Sequence, residues 1–159
     1  MRKIAGLVVL VAVWSVIGGA QTANAPKAPT DRAADFKNAD LDAIANDLAA
    51  RKVITQRILD GGVYSVNVRH VAASETALQH GRITEVWVVR DGSGIVATGG
   101  ELVGKKEGTS PGEFSGTAIR GGVERTVGPG DIVFIPPGVP HGVKETTAIT
   151  YLNIRFETK

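Results

Sequence analysis

Apolar and polar positions change period once along the chain. Between Asp40 and Lys52, Leu41, Ile44 and Leu48 recur at helical spacing. That predicts one short helix, with Asn38 or Asp40 placed to cap its start. From Val53 onward the period is two. Asp60-Gly61-Gly62 reads as a turn, and Tyr64 to Val71 then alternates, with Tyr64, Val66, Val68 and His70 on one face. Ile83 to Arg90 is apolar on both parities. Ile83, Glu85, Trp87 and Val89 share one face, and Val86 and Val88 the other, which suits a strand covered on both sides. Asp91-Gly92-Ser93-Gly94 predicts a hairpin turn into Ile95–Thr98. Residues 104–116 predict an exposed excursion, and Ile132–Ile135 and Ile149–Phe156 complete the strands. Short strands with frequent turns predict an all-β barrel or jelly roll carrying a short N-terminal helix.

Composition narrows this picture. A length of 159 residues suggests one domain, and 43% hydrophobic residues argue against wholesale disorder. With no cysteine, disulfides, thiolate metal sites and cysteine nucleophiles are excluded. Residues 1–20 read as an export signal: Arg2 and Lys3 open it, Ile4 to Ile17 is apolar, and Gly18-Gly19-Ala20 suits cleavage. Ala23-Asn24-Ala25 is a second cleavage site, disfavoured by Pro26. An uncleaved anchor ranks below a cleaved signal, because the apolar run is shorter than the roughly 20 residues a spanning helix needs. Losing Arg2 and Lys3 takes the 18 basic residues to 16, equal to the 16 acidic ones. The basic character of the precursor is therefore no argument for nucleic acid, and no basic stripe is interleaved with aromatics. The expected organisation is a signal at 1–20, an arm with one helix at 21–52 and a β-barrel at 53–159. The expected location is periplasmic or secreted, with no membrane contact after signal removal.

The chain has three histidines, His70, His80 and His141. His141 ends the run Gly130-Asp131-Ile132-Val133-Phe134-Ile135-Pro136-Pro137-Gly138-Val139-Pro140-His141. The prolines fix φ, Gly138 admits a tight conformation, and the turn holds one side chain at the end of an apolar strand. Glu85 sits on an otherwise apolar face, where a carboxylate needs a cation or hydrogen-bond donors.

This run resembles the second motif of the cupin family, in which Gly, Pro, Gly and His fall at the spacing of Gly130, Pro136, Gly138 and His141. The three Gly/Pro matches alone arise by chance about 2 times in 10,000 at a given start, so the signal is strong for fold. The family's first motif is matched by His80, Glu85 and Gly92, with Leu78 where a first histidine would stand and Glu145 at the second motif's final Asn. The resemblance spans about Tyr64 to Phe156. It implies a cupin-type jelly-roll barrel in which His80, Glu85 and His141 hold a divalent metal ion, with Fe, Mn, Ni, Zn and Cu all chemically admissible. It also implies a small-molecule ligand and a homodimer. The activity expected is dioxygenase, isomerase or lyase chemistry on a small oxygen-containing molecule. The alternatives are a non-catalytic ligand-binding module, a barrel that has lost its metal, and a dimerisation scaffold.

Other residues read more plainly. His70 is a packed or rim histidine before it is a replacement ligand. Gln79 has the wrong parity to join His80, Glu75 reads as a solvated loop charge, and Trp87 as core or pocket wall. Gly92-Ser93-Gly94 is too short for a nucleophile elbow, and the glycine pairs lack the strand-to-helix context of a nucleotide loop.

Overall fold

The computed structural model describes residues 25–158, so the expected signal at 1–20 lies outside the described residues. Among the described residues one helix, α1 (Asn38–Arg51), precedes eleven strands. These are β1 (Thr55–Asp60), β2 (Tyr64–Val71), β3 (Ala77–His80), β4 (Ile83–Thr98), β5 (Glu101–Val103), β6 (Lys106–Glu107), β7 (Glu113–Gly116), β8 (Ala118–Arg120), β9 (Val123–Val127), β10 (Ile132–Ile135) and β11 (His141–Glu157). The architecture is mostly β with one short helix and agrees with a jelly roll.

The long strand β11 organises the sheet. It runs antiparallel to β2 from Ile149 opposite Val71 to Phe156 opposite Tyr64. Its other edge follows β4 from His141 opposite Thr98 to Glu157 opposite Ile83. β4 in turn pairs β10 through its first half and β9 through its second. Beyond the start of β11 the sheet continues through β3 and β7 to β6. β5 and β8 form a separate pair. Residues Pro26 to Ala28 lie along the edge of β1, where Lys27 bridges Asp60.

The alternation seen in the sequence sorts side chains between two apolar clusters. Val71, Trp87, Val89, Val96, Val133, Ile135, Val143, Ile149 and Tyr151 fill the inner one. Val68 and Ile58 meet Leu41 and Leu48 of α1 in the outer one. The Tyr64–His70 face of β2 therefore turns toward the helix, and the inward face carries Ser65, Asn67, Arg69 and Val71. α1 has no side-chain cap: Lys37 occupies the N-cap position. Asn38 and Asp42 instead accept hydrogen bonds from Arg90 of β4, at 2.6 and 2.8 Å, which fasten the first turn to the sheet.

Two predicted loops differ. Asp91–Gly94 is not a hairpin turn, because β4 runs through it as one strand of 16 residues. Gly92 has φ +70°, and a Cβ there would lie 2.2 Å from the Ala148 carbonyl oxygen of β11. The glycine marks a close approach of two backbones, where register shifts accommodate the bend. The 104–116 excursion contains β6 and β7, and β7 pairs with β3 to place Glu113 opposite His80.

Candidate metal centre

Three local rules converge on one point. His80 ends β3, Glu85 follows two residues into β4, and His141 opens β11 after the proline turn. Gly138 docks that turn on β3: its N–H donates to the His80 carbonyl at 2.7 Å, and Gln79 Nε2 donates to the Gly138 carbonyl at 2.8 Å. Gln79 thus points away from the centre, as its parity requires. The three expected ligands are buried, and one ligand atom from each lies within 4.8 Å of the others. The two imidazole rings stand 5.2 Å apart.

Hydrogen bonds fix the state of both rings. Nδ1 of His80 meets the Glu113 carboxylate, and Nδ1 of His141 donates to the Val139 carbonyl at 2.9 Å. Both partners only accept, so each Nδ1 carries a proton. The Nε2 atoms then face Glu85, at 3.3 Å from Oε1 and 3.6 Å from Oε2. Burial pushes the His141 imidazole down from its ordinary value, toward the neutral form, against the attraction of Glu85. A neutral ring offers Nε2 as a lone pair. Nitrogen lone pairs aimed at a carboxylate repel it unless something positive lies between them, which is the arrangement metal ligands adopt. The donor set of two imidazoles and one carboxylate fits a divalent transition ion.

Glu85 is held as firmly as the rings. Trp87 Nε1 and Asn153 Nδ2 donate to its Oε2 at 2.7 and 3.1 Å. Arg155, its cross-strand neighbour on β11, brings Nε to 2.9 Å from Oε1 without aligning that N–H for a hydrogen bond. Burial alone would raise this carboxyl. In the acid range, where an imidazolium can donate to it, His80, the charge His141 carries when protonated, Arg155 and Trp87 outweigh that burial and hold the metal-free group down at about 2. Behind the cluster Trp87 meets His141 edge-on and stacks on Tyr151.

On its His80 side the centre borders a cleft of about 650 Å³, lined also by Leu78, Ile83, Glu113, Phe114 and Arg155. Two other clefts, of about 460 and 600 Å³, border Glu75 and touch no ligand atom.

The remaining candidates resolve as follows. Leu78 stands on the same face as His80 and adds an apolar wall. Glu145 is exposed. His70 lies outside the centre, its Nδ1 3.0 Å from the Thr150 hydroxyl. Glu75 is not a solvated charge: it is buried in an ion pair with Arg69 at 2.8 Å. Sequence reasoning missed Glu113, Asn153 and Arg155. The last two were visible in principle, since Ile149, Tyr151, Asn153 and Arg155 share one parity of the final strand. Glu113 carried no signal, because only the pairing of β3 with β7 brings it to His80.

No protein family and no curated protein matches the chain. Solved structures do. A Bacillus halodurans protein is similar at 14% identity over 83% of this chain and 87% of its own, with a TM-score of 0.53. Hydroquinone 1,2-dioxygenase from Sphingomonas sp. TTNP3, solved with 4-hydroxybenzoate bound, is similar at 14% identity over 72% and 73%, with a TM-score of 0.54. A Klebsiella pneumoniae protein with a double-stranded β-helix domain matches at 14% identity over 67% and 77%, with a TM-score of 0.47. At such identities the likeness to the first two is one of fold alone.

Proposed function

We propose that this chain is an exported cupin that binds one divalent metal ion through His80, Glu85 and His141 and acts on a small oxygen-containing molecule. The observation that carries the reading is the convergence of three buried donors on one point, with both Nδ1 atoms engaged elsewhere. A bound ion would act as a Lewis acid, polarising a ligand oxygen or activating water or O₂. The chain's own residues would orient it: Glu113 and the Val139 carbonyl set the rings, and Trp87 and Asn153 set the carboxylate.

Metal analysis tests this directly. Protein recovered from the cell envelope without chelator is expected to carry close to one equivalent of a transition metal. His141→Ala is expected to carry less than a tenth of that. Sub-stoichiometric metal in wild type, with a melting temperature indifferent to added Fe, Mn, Ni or Zn, would sink the metal reading. The intact mass of the same sample reports whether residues 1–20 have been removed, and a mass retaining them would sink export by cleavage.

A second reading is favoured by one contact. Arg155 already offers Glu85 a positive partner, so a non-catalytic small-ligand module could use the same centre without an ion.

The homodimer is proposed on a separate observation. Ile132 and Phe134 on the outer face of β10 are 67% and 64% exposed. They continue a row through Val88 and Val86 of β4 to Leu152 and Ile154 of β11. Only the far part of that row is covered by α1. A second copy would bury the remainder. Phe134→Asp is expected to halve the mass measured in solution; a wild-type monomer, or a variant of unchanged mass, would rule this face out.

A further inference from the structure

The cleft over His80 has a distinctive charge pattern. Arg155 lies on its wall, part-buried, and among the described residues its one close acidic partner is Glu85. Glu113 is engaged with His80, and Arg82 and Glu157 pair with each other at 3.4 Å. The rest of the wall mixes apolar side chains, Leu78, Ile83, Pro111 and Phe114, with the hydroxyl residues Thr109, Ser110 and Ser115. The Phe114 ring is covered by the Lys105 ammonium, 3.7 Å from its centroid.

Glu85 cannot serve two cations equally. A divalent ion drawn to its carboxylate weakens the hold of Arg155, and a part-buried guanidinium without a counter-charge is costly. The ion also shifts the charge of the site. Glu85, Glu113, Arg155 and Lys105 sum to zero, and adding two positive charges leaves two net positive charges. The metal-free site offers an anion no net attraction, whereas the loaded one attracts it and frees the residue whose planar fork matches a carboxylate.

We propose that the cleft binds a small monocarboxylate with an apolar tail, its charge on Arg155 and its tail against Leu78 and Phe114, and that it does so only once metal holds Glu85. The inference rests on the metal reading above. It gives Leu78 a role: where a histidine would have added a polar ligand, the leucine supplies an apolar wall for the tail.

The test is calorimetry with zinc, phenylacetate and its uncharged analogue 2-phenylethanol. Zinc stoichiometry is measured first. Phenylacetate is expected to bind zinc-loaded protein at least about tenfold tighter than chelated protein, and 2-phenylethanol to show no such gain. Arg155→Gln is expected to lose about tenfold in phenylacetate affinity, the size of one charge-assisted hydrogen bond, while binding zinc as tightly as wild type or tighter. Arg120→Gln, an exposed control remote from the cleft, is expected to match wild type. Should Arg155→Gln fail to fold, Arg155→Lys keeps the charge without the fork and is expected to fall between the two. Failure of wild type to bind zinc overturns the metal reading and this gate together. Zinc binding with a phenylacetate affinity indifferent to zinc, or to substitution of Arg155, overturns the anion site alone.

Discussion

Replacing Glu85 with alanine is expected to destabilise the metal-free protein by about 3–5 kcal/mol, the usual cost of removing one member of a buried ion pair. The substitution strands three donors at once. Trp87 Nε1 and Asn153 Nδ2 lose their acceptor, and Arg155 loses its close counter-charge. Glu85→Gln should cost less, because its amide oxygen still accepts from Trp87. Urea unfolding of chelated protein measures both. A Glu85→Ala variant within about 1 kcal/mol of wild type would show that the carboxylate is not held as the geometry describes.

The same carboxylate sets the response to acid. Its folded value is about 2 against an ordinary 4.5. A depressed carboxyl contributes stability that is complete above its unfolded value and is lost as pH falls toward its folded one. At about 1.4 kcal/mol for each tenfold change in proton affinity, the loss between pH 4.5 and 2 is about 3 kcal/mol. His141 acts in the same direction at higher pH. Its folded value lies below 6.5, so its contribution is complete above 6.5 and declines as pH falls below it. Glu75 opposes both: burial raises it, so its contribution is present below 4.5 and lost as pH rises through its folded value. The net expectation for chelated protein is a fall in stability from pH 6.5 downward, of which the part below pH 4.5 is much shallower in Glu85→Ala. Parallel curves for the two proteins would exclude Glu85 as the source.

Much of the centre was legible because its residues sit in short, rigid sequence contexts. The proline turn places His141 by backbone restriction alone, and the apolar strand around Glu85 marks it as a buried charge in need of partners. The strands β2 and β10 were legible in full for the same local reason, alternation and bounding turns. What was illegible depends on contacts distant in sequence. Asp91–Gly94 has turn chemistry, yet pairing with β11 extends it, and Gly92 serves the approach of two backbones. Glu113 was hidden because its role depends on cross-strand register with β3. Glu75 precedes β3 in a loop, where charges are ordinarily solvated, and only the fold buries it beside Arg69.

That Arg69–Glu75 pair supplies a second large effect, and an asymmetric one. Both side chains are mostly buried, 12% and 9% exposed, and the guanidinium lies 5.6 Å from the centroid of the Tyr151 ring. Arg69 Nε and Glu75 Oε2 reach no further partner among the described residues. Removing Glu75 leaves a cation that cannot shed its proton, so Glu75→Ala is expected to cost about 3–5 kcal/mol. Removing Arg69 leaves a carboxyl that burial already pushes up and that Arg69 alone was drawing down. That carboxyl can escape its penalty by taking a proton, so Arg69→Met is expected to cost about 1–3 kcal/mol, and less as pH falls. With both charges gone, the Arg69→Met, Glu75→Leu double variant should recover much of the loss, since apolar replacements of a buried pair are often neutral. A double-mutant cycle by urea unfolding at two pH values separates these cases. Equal costs for the two single variants, independent of pH, would mean that the pair is solvated in solution and that the inner face of β2 is less enclosed than its burial indicates.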